Sequence, residues 1–240
     1  MSMLSDILRS LLYLVAPPRC PICGGAISDE NVGVCTTCEL TAPLTNTWQQ
    51  RENAMMERFW GLIPVEHVSA FLWYIEGSAW REAIHRFKYK GAWHSAYNLG
   101  RWYGSYLKES GHYDDIDLVV PVPLHWLRRV GRGYNQSEYL ADGIAERLGA
   151  KVDRHSLYRR RYNLSQTSRT RSERWKNVEG VFAVRNVEQL RGRHILLVDD
   201  VFTTGATIMS LAETILRAAP DARLSVATLA ATPHSLNRKE

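Results

Sequence analysis

The chain lacks any long apolar run. No stretch approaches the ~18 consecutive apolar residues that a membrane-spanning helix needs, which excludes such a helix as an organising element. No secretory leader is expected either. Residues 1–16 hold only a short apolar run at 11–16, with Asp6 and Arg9 before it, where a leader needs a positive start, a longer apolar stretch and a small-residue cleavage site. Leu4, Ile7, Leu8, Leu11 and Leu12 fit one helical face instead, which predicts a short amphipathic helix. The cytoplasm is the expected compartment. There is no internal repeat and no low-complexity tract, so repeat and fibrous architectures drop out. Cysteine is absent after Cys38.

What is present is ordinary for a soluble chain. Of 240 residues, 45% are hydrophobic and 23% charged, enough for one sizeable core and a small accessory module. The net charge of +5 suits polyanionic partners, namely phosphate esters, diphosphates or nucleic acid, without choosing among them.

The four cysteines form two Cys-x-x-Cys knuckles, Cys20/Cys23 and Cys35/Cys38. Four thiolates in that arrangement meet the tetrahedral preference of Zn²⁺ and leave no open coordination position, so the expected site is structural. The spacer between knuckles is shorter than the roughly 15–20 residues of the usual template. Disulfides are the alternative, and a cytosolic setting disfavours them. Few other core residues lie nearby, so the metal is expected to supply much of this segment's folding free energy.

Along the rest of the chain, 41–50 is polar, contains Pro43 and reads as a linker. Residues 65–75 read as a strand or hairpin arm. Residues 78–89 read as a helix, with Ala79, Ala83, Ile84 and Phe87 on one side, and 92–108 as a second helix with Ala96, Leu99, Tyr103, Tyr106 and Leu107 as its stripe. Short strands are expected at 116–120, 151–158, 181–184, 195–198 and 224–230, with helices at 137–148 and 207–219. The continuous apolar run at 195–198 is of the kind buried on both faces of a parallel sheet. Strands alternating with helices predict an α/β fold with a parallel, doubly wound sheet. Three regions follow: 1–50 with the N-terminal helix and the four-cysteine zinc-binding module, 51–115 as a connecting strand and helical region, and 116–240 as the core.

The chemistry concentrates at 194–207, where an apolar strand runs into Asp199 and Asp200, then a turn rich in hydroxyls and glycine, then a helix. In open α/β sheets, ligands sit beyond the carboxyl ends of the strands. Backbone N–H groups at a helix N-terminus favour an anion, Gly205 lets the backbone approach closely, and Thr203, Thr204 and Thr207 add hydroxyl donors. The carboxylates suit sugar hydroxyls or a bridging Mg²⁺. A phosphorylated ribose satisfies both halves. A second constellation follows the strand at 116–120: Pro121, Val122, Pro123 and Leu124, then Arg128, Arg129 and the run Arg132-Gly-Tyr-Asn-Gln136. Strand-end turns followed by arginines suit a diphosphate. Residues 159–177 are basic and aperiodic, with Arg159, Arg160, Arg161, Gln166, Arg169, Arg171, Arg174 and Asn177, and read as a long loop able to close over the diphosphate.

Residues 195–207 resemble the phosphoribosyl-diphosphate signature of type I phosphoribosyltransferases. The wider pattern resembles the ComF family of competence-related, phosphoribosyltransferase-like proteins: the cysteine knuckles, Phe87-Lys-Tyr-Lys90-Gly91, the Val-Pro segment, Arg132–Gln136, the basic loop and the Asp-Asp signature. One departure is that some relatives carry a second set of cysteine pairs. The resemblance implies that Asp199 and Asp200, as the catalytic pair, contact the ribose 2- and 3-hydroxyls. It implies that Thr203, Thr204, Gly205, Ala206 and Thr207 hold the 5-phosphate; Val122, Pro123 and Arg132 of the second constellation are the candidate residues for the diphosphate. It implies phosphoribosyl diphosphate with Mg²⁺ as ligand, structural zinc on Cys20, Cys23, Cys35 and Cys38, and a link to uptake or use of external DNA, with other competence proteins as partners.

Two function classes stand. In one, the chain is a transferase displacing diphosphate from C1 of the ribose, although no acceptor pocket is recognisable. In the other, it binds single-stranded DNA and its phosphoribosyl site is regulatory. The second reading rests on aromatics interleaved with cations: Trp73, Tyr74, Trp80, Arg81, Phe87, Lys88, Tyr89, Lys90, Trp93, Arg101, Trp102 and Tyr103.

Overall fold

The apolar run 195–198 becomes the centre of the sheet. In this computed structural model, which describes residues 19–27, 33–87, 93–160 and 180–233, β6 (His194–Phe202) lies between β2 (Leu118–Pro121) and β7 (Arg223–Ala231). Outside them lie β3 (Lys151–Val152) and β1 (Val68–Trp73), giving the order β1-β7-β6-β2-β3 with every pair parallel. The register sets Val120 beside Leu197 and Leu197 beside Val226. Helices cover both faces, which is why the central strands carry apolar side chains on consecutive residues rather than alternate ones. The expected 4–12 helix, residues 88–91 of the Phe87–Gly91 motif, and the loop from 161 to 177 lie outside the described residues, as does the side chain of Arg132.

One face carries α2 (Ala79–Arg86), α3 (Trp93–Glu109) and α5 (Gln136–Leu148). Ser78 caps α2, its hydroxyl accepting from the Arg81 N–H at 3.1 Å. Trp80 rather than Ala79 completes its buried face, and Trp102 joins the expected stripe of α3. Helices α3 and α5 touch backbone to backbone: a Cβ at Gly143 would stand 2.2 Å from the Tyr97 carbonyl oxygen, and one at Gly100 2.3 Å from that of Leu140. The opposite face carries α6 (Ala206–Ala218), which buries Ile208, Leu211, Ala212 and Ile215, with Met55 and Phe59 from the segment before β1.

Several expectations change. The stretch 41–50 is not a free linker. Trp48 is fully buried, the Trp73 N–H donates to the Pro43 carbonyl at 2.7 Å, and the Thr45 N–H donates to that of Phe71 at 3.0 Å, so the segment covers the edge of β1. The expected strand 151–158 is two pieces. Asp153 breaks it, its Oδ1 accepting from the N–H groups of His155 and Ser156 at 2.8 and 3.0 Å. The second piece, β4 (Leu157–Arg159), pairs antiparallel with β5 (Phe182–Val184), so the strand expected at 181–184 belongs to a separate two-stranded sheet. A short helix α4 (Trp126–Arg132), not expected, follows β2. No described helix is long and apolar enough to cross a membrane.

Near the N-terminus, the single short turn of helix α1 (Thr36–Leu40) carries the second knuckle. Cys20, Ile22, Val34 and Cys38 share the core cluster of the α3 face, and the Arg86 guanidinium donates to the Pro21 carbonyl at 2.7 Å. Packing therefore holds the knuckles in place.

Candidate functional site

Asp199 and Asp200 lie inside β6, not after it, because the strand runs on to Phe202. The two carboxylates sit in an open cleft of about 180 Å³ lined by Val122, Pro123, Leu124, Arg128, Asn135, Gln136, Ser137, Arg159, Asp199, Asp200, Val201 and Thr207. The cleft gathers the ends of β2 and β6, the first residues of α5 and α6, and one side of β4.

Each carboxylate has donors already aimed at it. The Gln136 amide donates to Asp200 Oδ2 at 2.9 Å, and the Ser137 hydroxyl to Asp199 Oδ1 at 3.3 Å. Asp199 Oδ1 also accepts from the Asp200 N–H at 2.9 Å, and Asp200 Oδ1 from the Val201 N–H at 2.8 Å. Asn135 holds these donors in place. Its side-chain amide donates to the Val122 carbonyl at 3.1 Å while its Oδ1 accepts from the Ser137 N–H at 3.2 Å, so one residue caps α5 and ties it to the turn after β2. Asp199 keeps some solvent contact, yet burial, reinforced by the Asp200 carboxylate, pushes its carboxyl up to about 8. With nothing bound, burial and the neighbouring carboxylate thus disfavour the ionised form of Asp199. A cation or a set of hydroxyl donors placed there would favour the ionised form.

The turn after β6 is built as expected in one respect. Gly205 is the N-cap of α6 with φ of 75° and no side-chain cap bond, and a Cβ there would stand 2.8 Å from the Phe202 ring. The Thr204 hydroxyl accepts from the Ala206 N–H at 3.5 Å, which leaves the following N–H groups of the first turn for an anion. Of residues 203–207, only Thr207 lines the cleft beside the carboxylates. Thr203 is exposed, and Gly205 and Ala206 are buried. Val122 and Pro123 line the cleft as expected.

Sequence reasoning missed Gln136 and Ser137 as carboxylate partners. They lie far from β6 in the chain, and the signal nearest to them, the run Arg132–Gln136, was read for the diphosphate rather than for the carboxylates. It also missed that Arg159 belongs to β4 and flanks the cleft. Burial lowers the Arg159 guanidinium's affinity for its proton, aided by Arg128, while Asp199 acts the other way. The aromatic run fares worse: Trp80, Phe87, Trp102 and Tyr103 are buried in the core, because α2 and α3 use them to cover the sheet. They offer no stacking surface.

The sulfurs of Cys20, Cys23, Cys35 and Cys38 all lie within 4.8 Å of one another, close enough to hold a metal ion. Tetrahedral zinc with Zn–S of about 2.3 Å needs sulfur–sulfur edges of about 3.8 Å, and Cys23 and Cys35 stand 3.6 Å apart. Burial acts to raise the Cys20 thiol, but N–H groups of Cys35, Cys23 and Ile22 outweigh it and bring it to about 7. Burial and the crowding of the other three thiols push Cys38 up. The donor set fits a thiophilic cation.

Residues 135–240 match the model of the phosphoribosyl transferase domain. The matched part contains β6, α6, β7 and the Asp199–Asp200 side of the cleft. The chain is 28% identical over 224 residues to the competence protein ComFC of Bacillus subtilis, covering 92% of this chain and 81% of that one. It is 36% identical over 101 residues to the DNA utilization protein YhgH of Salmonella typhi, covering 42% of this chain. That alignment spans only 44% of the relative's length. Among solved structures, a Bacillus subtilis glutamine phosphoribosylpyrophosphate amidotransferase is similar at 18% identity and a TM-score of 0.41, over 60% of this chain and 30% of that one. The chain is thus similar to a competence protein over most of its length, and its C-terminal part matches a phosphoribosyl transferase domain.

Proposed function

We propose that the chain binds phosphoribosyl diphosphate in the cleft above β2 and β6, in the service of DNA uptake or utilisation. The observation that carries the reading is convergence. A half-buried carboxylate pair, a turn with free N–H groups at the head of α6, and the Val122–Pro123 turn meet at the carboxyl ends of adjacent parallel strands. A phosphorylated ribose has donors for the first and an anion for the second. Asp199 and Asp200 take the ribose 2- and 3-hydroxyls, Thr203 to Thr207 the 5-phosphate, and Val122 and Pro123 with Arg132 the diphosphate.

The unfavourable ionisation of Asp199 is what a Mg²⁺ beside the carboxylates would relieve. When bound, the ion screens the diphosphate charge and strengthens it as a leaving group. The protein's own contribution is positioning: Gln136 and Ser137 fix the carboxylates, and Asn135 fixes the two turns relative to each other. The names of the relatives support the link to DNA. The cysteine cluster serves as a structural zinc site. The reading of residues 73–103 as a DNA-stacking face is not retained, since its central aromatics are buried.

Calorimetric titration with phosphoribosyl diphosphate and Mg²⁺ tests the reading. Saturable heat is expected from the native chain and none from Asp199→Asn/Asp200→Asn. A flat titration of the native chain at millimolar ligand refutes it.

A further inference from the structure

Beside the carboxylate cleft lies a second chamber of about 360 Å³, contiguous with it through Pro123, Leu124, Asn135 and Arg159, which line both. Its outer wall comes from the antiparallel pair β4–β5 and from α4. Trp126, 63% exposed, and Tyr158, 36% exposed, both line it. The Arg185 guanidinium lies over the Tyr158 ring at 5.1 Å, and that of Arg159 over Phe182 at 5.5 Å.

The charge around this chamber does not balance. Arg129 pairs with Glu138 at 3.0 Å and Arg154 with Asp142. Arg159 and Arg185 form no ion pair among the described residues. Two of the few buried polar atoms left without a hydrogen-bond partner also belong to its lining: Arg159 Nε, a donor, and Asp153 Oδ2, an acceptor. Buried polar atoms without partners are uncommon in folded proteins, and a donor and an acceptor both unmet around one chamber suit a ligand offering each.

We propose that this chamber is a nucleotide subsite, distinct from the phosphoribosyl cleft it adjoins. The base packs against Tyr158 and Trp126, the phosphate meets Arg159 and Arg185, and an amino or hydroxyl group of the nucleotide donates to Asp153. Rigid aromatic faces flanked by guanidinium groups recognise a base and its phosphate together, whereas inorganic phosphate uses only the charge.

The test titrates the full chain with a 2′-deoxynucleoside 3′-monophosphate, which has neither the 5-phosphate nor the adjacent pair of hydroxyls assigned to the phosphoribosyl cleft, with inorganic phosphate as control, followed by calorimetry. The native chain is expected to bind the nucleotide more tightly than phosphate. Tyr158→Ala is expected to weaken nucleotide binding by roughly five-fold to a hundred-fold, the range for one stacked base, and to leave the weak phosphate binding unchanged. Arg185→Glu, at an exposed position where folding is undisturbed, is expected to weaken both. Asp199→Asn/Asp200→Asn is expected to abolish phosphoribosyl-diphosphate binding and spare the nucleotide, so the two readings fail separately. No nucleotide binding at millimolar concentration overturns the proposal, as does equal affinity for nucleotide and phosphate. Full retention of binding in Tyr158→Ala, or its loss in the double aspartate variant, overturns it too.

Discussion

Replacing Asp199 by asparagine should stabilise the empty protein, and by an amount that grows with pH. The asparagine Oδ1 can still accept from Ser137 and from the Asp200 N–H, so the local hydrogen bonds survive. What disappears is the cost of ionising a carboxyl that burial and Asp200 push up to about 8 from an ordinary 3.8. Because the folded value lies above the unfolded one, the folded state binds the extra proton between them. Stability is therefore fully retained below about pH 4, falls as pH rises through that window, and levels off above about 8. The full shift corresponds to about 6 kcal/mol at ~1.4 kcal/mol per tenfold. Arg159 nearby and water in the open cleft reduce this, so ~3 kcal/mol is the working expectation at pH 9, shrinking to under ~1 kcal/mol at pH 5. Chemical denaturation of both proteins at pH 5, 7 and 9, without Mg²⁺ or ligand, reads the difference directly. A gain that is the same at all three values, or a loss that deepens with pH, refutes the reasoning.

Gly143→Ala should cost ~2 kcal/mol or more in denaturant unfolding, since its Cβ would press on the Tyr97 carbonyl and on the Arg101 N–H; a neutral result would show that α3 and α5 separate easily. Ser69→Ala strips the partner shared by the buried Tyr103 and Tyr113 hydroxyls, at 2.6 and 2.8 Å. The expected loss is ~1–3 kcal/mol. Metal analysis of the purified chain should find about one zinc per chain, and Cys38→Ser should lose it. Limited proteolysis of that variant should then cut first within residues 19–40, and unchanged cleavage would deny the metal a structural role.

The parallel sheet was legible because its signals are local. The continuous apolar run at 195–198 cannot be satisfied by a half-exposed strand, 224–230 is interrupted only by Ser225 and Thr228, and the helix between them shows clear periodicity. The Asp-Asp-x-x-Thr-Thr-Gly-x-Thr run was equally local. What escaped depends on tertiary placement. Residues 41–50 are polar and contain a proline, yet they cover the edge of β1, because the Thr45 and Thr47 hydroxyls donate to the Ala70 carbonyl and Asn53, just beyond them, donates to that of Val68. Trp80, Trp102 and Tyr103 look the same in sequence whether they stack on a base or on each other. Phe71 decides it, since it draws Trp102 to 4.8 Å and Tyr103 to 4.9 Å. Gln136 only closes the Arg132–Gln136 run and Ser137 belongs to no motif, so only the meeting of α5 with the end of β6 shows the carboxylates as their partners.

The cleft's assignment is tested most directly by a crystal structure of the chain with phosphoribosyl diphosphate and Mg²⁺. The account expects the ribose 2- and 3-hydroxyls within hydrogen-bond distance of Asp199 and Asp200, with the 5-phosphate seated on the N–H groups between Thr203 and Thr207. Density for the ligand with its 5-phosphate on the Val122–Pro123 turn, or bound away from both aspartates, would contradict it.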